Sequence, residues 1–316
     1  MKLSSLCAVS LLPLFVACAG ASSAPATPDS QAATSPSPPA REAADAPETA
    51  QALELQVVTS PEAGGAVNST LVLGEREVVV VDAQWTKSGA NAVADAVVQS
   101  GRKLTYLFIT HAHPDHYFGA AVLKQRFPTA RVVASASTVE HIRETAAAKA
   151  KAQAAMLKDE FPGEPVIPEV LEGELSVDGQ VLPLLEGLQG DTHPITAVKV
   201  PGANALIAGD VVFSNTHVWT ADSSHESRLR WIEQLKALEA MGFDRIIPGH
   251  QAADAPQTSA ALAQTEGYLE RFDAEVAKVK KSGPLIAAMK ASYPDLKAEL
   301  FLQLGSQVQT GELKWQ

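Results

Sequence analysis

Residues 111–116 read His111-Ala112-His113-Pro114-Asp115-His116, directly after the largely apolar run Tyr106-Leu107-Phe108-Ile109-Thr110. Three imidazoles and a carboxylate thus fall within one short segment at the end of what reads as a buried strand. His111 and His113 are two residues apart, so in an extended segment they point the same way. Asp115 and His116 then turn toward a second position beside the first, and the packet can serve two metal ions at once. Imidazole with carboxylate and no thiolate suits zinc, and less selectively iron or manganese. The chain has 8 His in 316 residues, and random placement of His-x-His-x-Asp-His in it has a chance on the order of two in ten thousand. The bland alternative, a polar loop that happens to be rich in His, is therefore the weaker reading. The motif also sits where loops on rigid scaffolds carry function.

One hexapeptide cannot complete two sites, because a catalytic zinc keeps about three protein ligands and an open position. Three further segments offer donors beside apolar strands: Ala208-Gly209-Asp210, Ile247-Pro248-Gly249-His250 and Gly190-Asp191-Thr192-His193-Pro194. Taken singly, each reads as a turn or a surface residue. Taken together behind the hexapeptide, they read as the rest of a metal constellation.

These motifs resemble those of the metallo-β-lactamase-fold hydrolase superfamily, in its glyoxalase-, lactonase- and thioesterase-like branch, over about residues 55–255. The resemblance implies an α+β fold, a four-layer αβ/βα sandwich with metals at one edge between two sheets. It also implies roles. His111 and His113 would hold a first zinc with a third His, and Asp115, His116 and His250 would hold a second. Asp210 would bridge the two ions, and Asp82 would support the metal loop. The family usually has Gly-His-Thr or Gly-His-Ser at the third His. Here His193 follows the Asp191-Thr192 pair instead. His193 is taken as the third ligand, and a site lacking this His is the alternative. His217 is a candidate substrate contact, with a structural hydrogen bond as its other reading.

The expected chemistry is binuclear zinc hydrolysis. A hydroxide shared by the ions would attack the carbonyl of a small ester, lactone or thioester, with Asp115 orienting it and relaying its proton. A zinc β-lactamase and a non-catalytic metal-binding lipoprotein of the same fold are the alternatives. The net charge of −11, with no basic patch, argues against nucleic acid as partner. A small molecule is the expected partner, with a homodimer as a further possibility.

The N-terminus reads as an address. Lys2 precedes an apolar stretch over residues 6–17, of signal-peptide length and too short to span a bilayer. It ends at Phe15-Val16-Ala17-Cys18-Ala19-Gly20, which resembles a bacterial lipoprotein processing site with Phe15 where Leu is usual. Cys18 would then carry the lipid anchor at the periplasmic face of the envelope. Ordinary cleavage near Ala17 or Ala19 is the competing reading, and both export the protein. The chain's 2 Cys are Cys7 and Cys18, so the folded part has neither disulfide nor thiolate ligand. Residues 1–18 are thus expected to be a signal peptide. Residues 19–50, rich in Ala, Ser, Thr and Pro, are expected to be a disordered tether, spanning ~30 Å on average. Residues 51–255 would form the catalytic domain and residues 256–316 a C-terminal helical extension.

Periodicity predicts strands over residues 53–58, 67–73, 77–82, 104–110, 131–134, 180–185, 195–200, 205–208 and 245–247. It predicts helices over 91–100, 117–127, 137–158, 226–241 and 259–281, and an irregular loop over 161–172. The alternation of strand and helix groups suggests two mixed sheets sandwiched by helices.

Overall fold

Val78 and Val80 enter one hydrophobic core, whereas Val79 and Val81 enter another. Successive side chains of a strand point to opposite faces, so this run belongs to a sheet covered on both sides. The computed structural model describes residues 52–315. The expected signal peptide and tether lie outside the described residues.

The first sheet begins with β1 (Glu54–Thr59), β2 (Asn68–Leu73) and β3 (Glu77–Val81), paired antiparallel. Helix α1 (Lys87–Ser100) leads to β4 (Lys103–Ile109). Helices α2 (Pro114–Tyr117) and α3 (Ala120–Arg126) lead to β5 (Arg131–Ala134). Helix α4 (Ala136–Leu157) precedes the short β6 (Glu169–Val170). Strands β3 to β6 run parallel. A small hairpin, β7 (Ser176–Val177) with β8 (Gln180–Val181), follows. The second sheet contains β9 (Leu184–Leu188), β10 (Ile195–Val200), β11 (Ala205–Ser214) and β12 (Arg245–Gln251), in the order β12-β11-β10-β9. Helix α5 (His225–Glu239) connects β11 to β12, and α6 (Ala260–Val276), α7 (Ser282–Ser292) and α8 (Glu299–Gln309) complete the chain.

Three cores define the layers. Val93, Val97, Leu123 and Ile142 of α1, α3 and α4 cover the outer face of the first sheet. Trp231, Leu235, Leu269 and Phe272 of α5 and α6 cover the outer face of the second. Val79, Phe108, Val198 and Ile247 fill the space between the sheets. This is the expected four-layer αβ/βα sandwich. Among the described residues no helix is long and apolar enough to cross a membrane.

Some elements differ from their expected extents. The helix expected over 117–127 is two pieces, because Gly119 N–H donates to the Gln84 carbonyl instead of continuing a helical ladder. The helix expected over 259–281 stops at Val276, and α7 restarts with Pro284 in its first turn, where proline is tolerated. Leu285, Met289 and Leu302, beyond residue 255, share the core of the second sheet. The last helices are therefore built into that half of the fold.

The most consequential difference concerns the donor-bearing strands. The residues expected at strand ends, Asp210 and His250, lie inside β11 and β12. The pairing of these strands shifts register at Gly209. Gly209 takes φ +54, which glycine adopts without steric cost. Such bulges re-aim side chains, and this one turns Asp210 toward the motif loop.

Candidate metal centre

Two backbone strains place the loops around the hexapeptide. Asp82 and Gln84 have φ +64 and +73, each costing about 1–2 kcal/mol for a non-glycine residue. The buried Gln84 amide offsets part of this by donating to the Val58 and Val67 carbonyls and to Ser69 Oγ. Asp82 is thereby aimed at the end of β4, where its carboxylate accepts from the Thr110 N–H at 2.9 Å and the Thr110 hydroxyl at 2.8 Å. His111 follows at once. Pro114 opens the single turn of α2, where its fixed φ favours helix. That turn sets Asp115 and His116 beside His111.

Two groups of donors result. His111, His113, Asp191 and Asp210 form one, and Asp115, His116 and His250 form the other, with the donor atoms of each group within 4.8 Å of one another. Asp210 stands between them. Its Oδ1 is 3.1 Å from His116 Nε2, and its Oδ2 is 3.1 Å from His250 Nε2 and 3.5 Å from His111 Nε2. In the first group, Asp191 Oδ2 lies 3.1 Å from His113 Nδ1.

The outer atoms of three imidazoles are already engaged, which fixes what their inner atoms offer. His116 Nδ1 donates to Asp82 at 2.8 Å, and His250 Nδ1 donates to the Gly65 carbonyl at 2.7 Å. The Thr110 hydroxyl spends its proton on Asp82, so at 2.9 Å it accepts from His111 Nδ1. In their neutral form, the form that ligates, all three rings turn an Nε2 lone pair inward, and the Nδ1 partners are of the kind that stands behind a metal ligand. His250 is also clamped between Phe213, stacked at 5.2 Å, and the edge contact of Phe301 at 5.0 Å.

Buried polar atoms nearly always find a partner. Yet His111 Nε2, both Asp191 oxygens and Asp210 Oδ1 are buried here without a hydrogen bond. These atoms converge on the same space, and that shortfall fits two cations. Tight glycines keep the space open. A Cβ on Gly249 would strike the Asp210 carboxylate, and one on Gly190 would meet the Asp210 carbonyl at 2.5 Å.

Electrostatics agree. Burial disfavours charge on His113, but the Asp191 and Asp210 carboxylates outweigh it and hold its pKa well above the usual imidazole value. His116 is likewise raised against burial by Asp210, Asp82 and Asp115, and His250 by Asp210 and Asp115. His111 goes the other way. Burial, with repulsion from His116, lowers it to about 4. Burial lifts Asp191 to about 7, aided by repulsion from Asp210 and opposed by His113. Asp115 stays below the ordinary carboxylate range, because His116 and His250 outweigh its burial.

One face of the centre is open. His111 and His116 are fully buried and the Asp191 and Asp210 side chains are 1% exposed, but His113, Asp115 and Asp222 are 13%, 21% and 29% exposed. These three residues define the mouth. Asp222 Oδ2 lies 3.7 Å from His113 Nε2 and accepts from Trp219 Nε1 at 2.6 Å. Lys149 of α4 reaches over the loop to donate to the Ala112 carbonyl at 2.8 Å.

The structure brings His111, His113 and Asp210 together in one group and Asp115, His116 and His250 in the other. His193 is different and corrects the expectation. It is exposed and lines a shallow surface cavity of about 290 Å³ with Gln189, Thr192, Asp222, Ser227 and Arg230. Its ring follows Thr192 and lies outside the donor group, and Asp191 takes the place in that group. A signal for Asp191 was available, since Gly190-Asp191-Thr192 is the Gly-His-Thr pattern with one exchange. Preferring imidazole to carboxylate concealed it. His217 is buried, and its Nδ1 lies 3.1 Å from the Tyr268 hydroxyl. The structure supports its structural reading and not a substrate contact.

The sequence model of the Metallo-beta-lactamase superfamily matches residues 63–250, more than half of the chain. A curated relative, an uncharacterized protein YobT of Bacillus subtilis (strain 168), is 41% identical over 69 residues. That match spans 22% of this chain and 29% of the relative. Among solved structures, a beta-lactamase domain protein from Burkholderia ambifaria aligns with a TM-score of 0.56 at 17% identity, covering 83% of this chain and 85% of that one. A DIM-1 metallo-beta-lactamase exposed to ceftazidime aligns at 0.51 and 19% identity, covering 71% and 94%. At these identities the structural likeness concerns the fold.

Proposed function

Because this chain belongs to the metallo-beta-lactamase superfamily, we propose that it is a binuclear metal-dependent hydrolase. Its substrate would be a small ester, lactone or thioester. The observation that carries this reading is Asp210, which reaches both donor groups: Oδ1 lies 3.1 Å from His116 Nε2, and Oδ2 lies 3.1 Å from His250 Nε2 and 3.5 Å from His111 Nε2. A carboxylate so placed could serve both ions. Two divalent ions held there would supply Lewis acidity and a water activated near neutral pH. Zinc suits the mixed imidazole and carboxylate donors.

The protein's own groups divide the remaining work. Asp115 is at the open mouth and ionised at neutral pH, so it can orient the attacking water and accept its proton. Asp82, through Thr110 and His116, holds the ligand rings in place. The mouth carries Asp115 and Asp222 and the whole chain is acidic at −11, which favours a small acyl substrate over a polyanion.

We further propose export, with Cys18 as the lipid-bearing residue. The support is the apolar stretch ending at Ala17-Cys18-Ala19-Gly20. Cys18→Ser is expected to shift the protein from the membrane fraction to the soluble one, and unchanged fractionation would count against the anchor.

The test of activity is a panel of lactones, thioesters, esters and β-lactams offered to metal-loaded protein. Turnover of an acyl ester, lactone or thioester with about two ions bound is expected. Preferential turnover of β-lactams would move the assignment to amide hydrolysis. Fewer than one ion per chain with no turnover would refute the hydrolase reading.

A further inference from the structure

Once the shared Asp210 is set aside, the two donor groups have the same composition. His111, His113 and Asp191 make one, and His116, His250 and Asp115 make the other. Each is two imidazoles and one carboxylate. Asp191 creates this equality, and a His at that position would give a first group of three imidazoles.

The exchange has two physical consequences. A carboxylate oxygen is a harder donor than an imidazole nitrogen, and carboxylate-rich sets suit manganese, while two His and one carboxylate suit iron(II). The exchange also adds a negative charge. With neutral imidazoles, Asp115, Asp191 and Asp210 bring three negative charges to a centre meant for two divalent ions. Both Asp191 oxygens are buried without a hydrogen bond. Its Oδ2 lies 3.1 Å from His113 Nδ1, a donor of the same group, so its charge stays at the ion position and the carboxylate can present one oxygen or both.

Resting on the hydrolase reading, we propose that Asp191 sets the metal preference of the first position. It narrows the margin by which zinc is held over harder divalent ions, so that Mn²⁺ or Fe²⁺ can occupy both positions. Zinc stays the tighter ion in absolute terms, as it does against manganese at nitrogen and oxygen sites generally. The margin is what Asp191 changes.

The experiment equilibrates metal-free full-length protein with buffered mixtures of Zn²⁺ and Mn²⁺, followed by elemental analysis of the bound ions. Wild type is compared with Asp191→His and Asp191→Asn. Asp191→His is expected to raise the bound Zn²⁺:Mn²⁺ ratio by about tenfold or more. Asp191→Asn keeps the shape without the charge, and it should lose Mn²⁺ from one position while retaining the other ion. Electron paramagnetic resonance of Mn²⁺-loaded wild type should show a coupled pair, and Asp191→Asn a single isolated ion. A ratio within twofold of wild type in Asp191→His, with two ions bound in both proteins, would overturn the proposal and leave the hydrolase reading intact. If Asp191→His loses its near-ultraviolet circular dichroism, Asp191→Asn decides, and unchanged Mn²⁺ binding there overturns the proposal. Wild type that binds neither metal would instead refute the hydrolase reading beneath it.

Discussion

Oδ2 of Asp191 lies 3.1 Å from Nδ1 of His113. The pair joins a loop between β9 and β10 of the second sheet to the loop that follows β4 of the first, so the first donor group is assembled across the sandwich. Asp210 on β11 and His250 on β12 also meet the motif loop from the second sheet. The centre exists only when both halves are folded and docked.

Asp191 and the neighbouring His193 should therefore behave oppositely. Asp191→Ala is expected to reduce the bound metal from about two ions to about one, because it removes the buried carboxylate that stands beside His111 and His113 in the first donor group. His193→Ala, at an exposed position, should leave the stoichiometry unchanged. Elemental analysis of the two variants side by side gives the answer, and loss of metal in His193→Ala would reverse the assignment.

Asp82 touches no ion position yet anchors two rings. Its removal in Asp82→Ala leaves the His116 Nδ1–H without an acceptor and frees Thr110 to rotate away from His111. Metal affinity should fall by about 10–100-fold, the usual cost of losing a partner behind a ligand. Competition with a chromophoric chelator measures it, and an unchanged affinity would mean that Asp82 serves only the backbone.

Asp115 should separate catalysis from folding. Its side chain is 21% exposed at the mouth, so Asp115→Ala should unfold at nearly the wild-type temperature. Turnover should drop by about 100-fold or more, as removal of a general base does. A variant keeping more than about a tenth of the wild-type rate would contradict a role in orienting the nucleophile or taking up its proton.

His217 gives a pH signature away from the centre. Burial lowers its pKa to about 4, below the unfolded value of about 6.5, so it folds as the neutral ring. The unfolded chain binds the extra proton first. The stability contributed by the neutral ring is complete above about pH 6.5 and is lost as pH falls toward about 4. His217→Gln can still pair with Tyr268 but does not titrate. Its Tm should fall less than that of wild type over this window, with a difference on the order of 1 kcal/mol or ~2–4 °C. Parallel Tm-versus-pH curves would exclude His217 as the cause.

The legible part of the centre was the local part. His111, His113, Asp115 and His116 lie within one turn-and-strand segment, so spacing alone placed them together. The apolar run over residues 77–82 was legible as a strand, whereas the burial of both its faces shows only in the fold. What could not be read was tertiary. Asp210 looked like a strand-end residue until the bulge at Gly209 and the approach of Gly249 showed how β11 and β12 aim it inward. Asp191 depends on burial without a partner, which no local pattern reveals. The rival donor His193 stood only two residues away.

The most direct measurement is a crystal structure of the protein with its bound ions, located by anomalous scattering. Two peaks flanking the Asp210 carboxylate are expected. The first should be held by His111, His113 and Asp191, and the second by Asp115, His116 and His250. A single peak, or a first ion ligated by His193 with Asp191 turned away, would contradict the account.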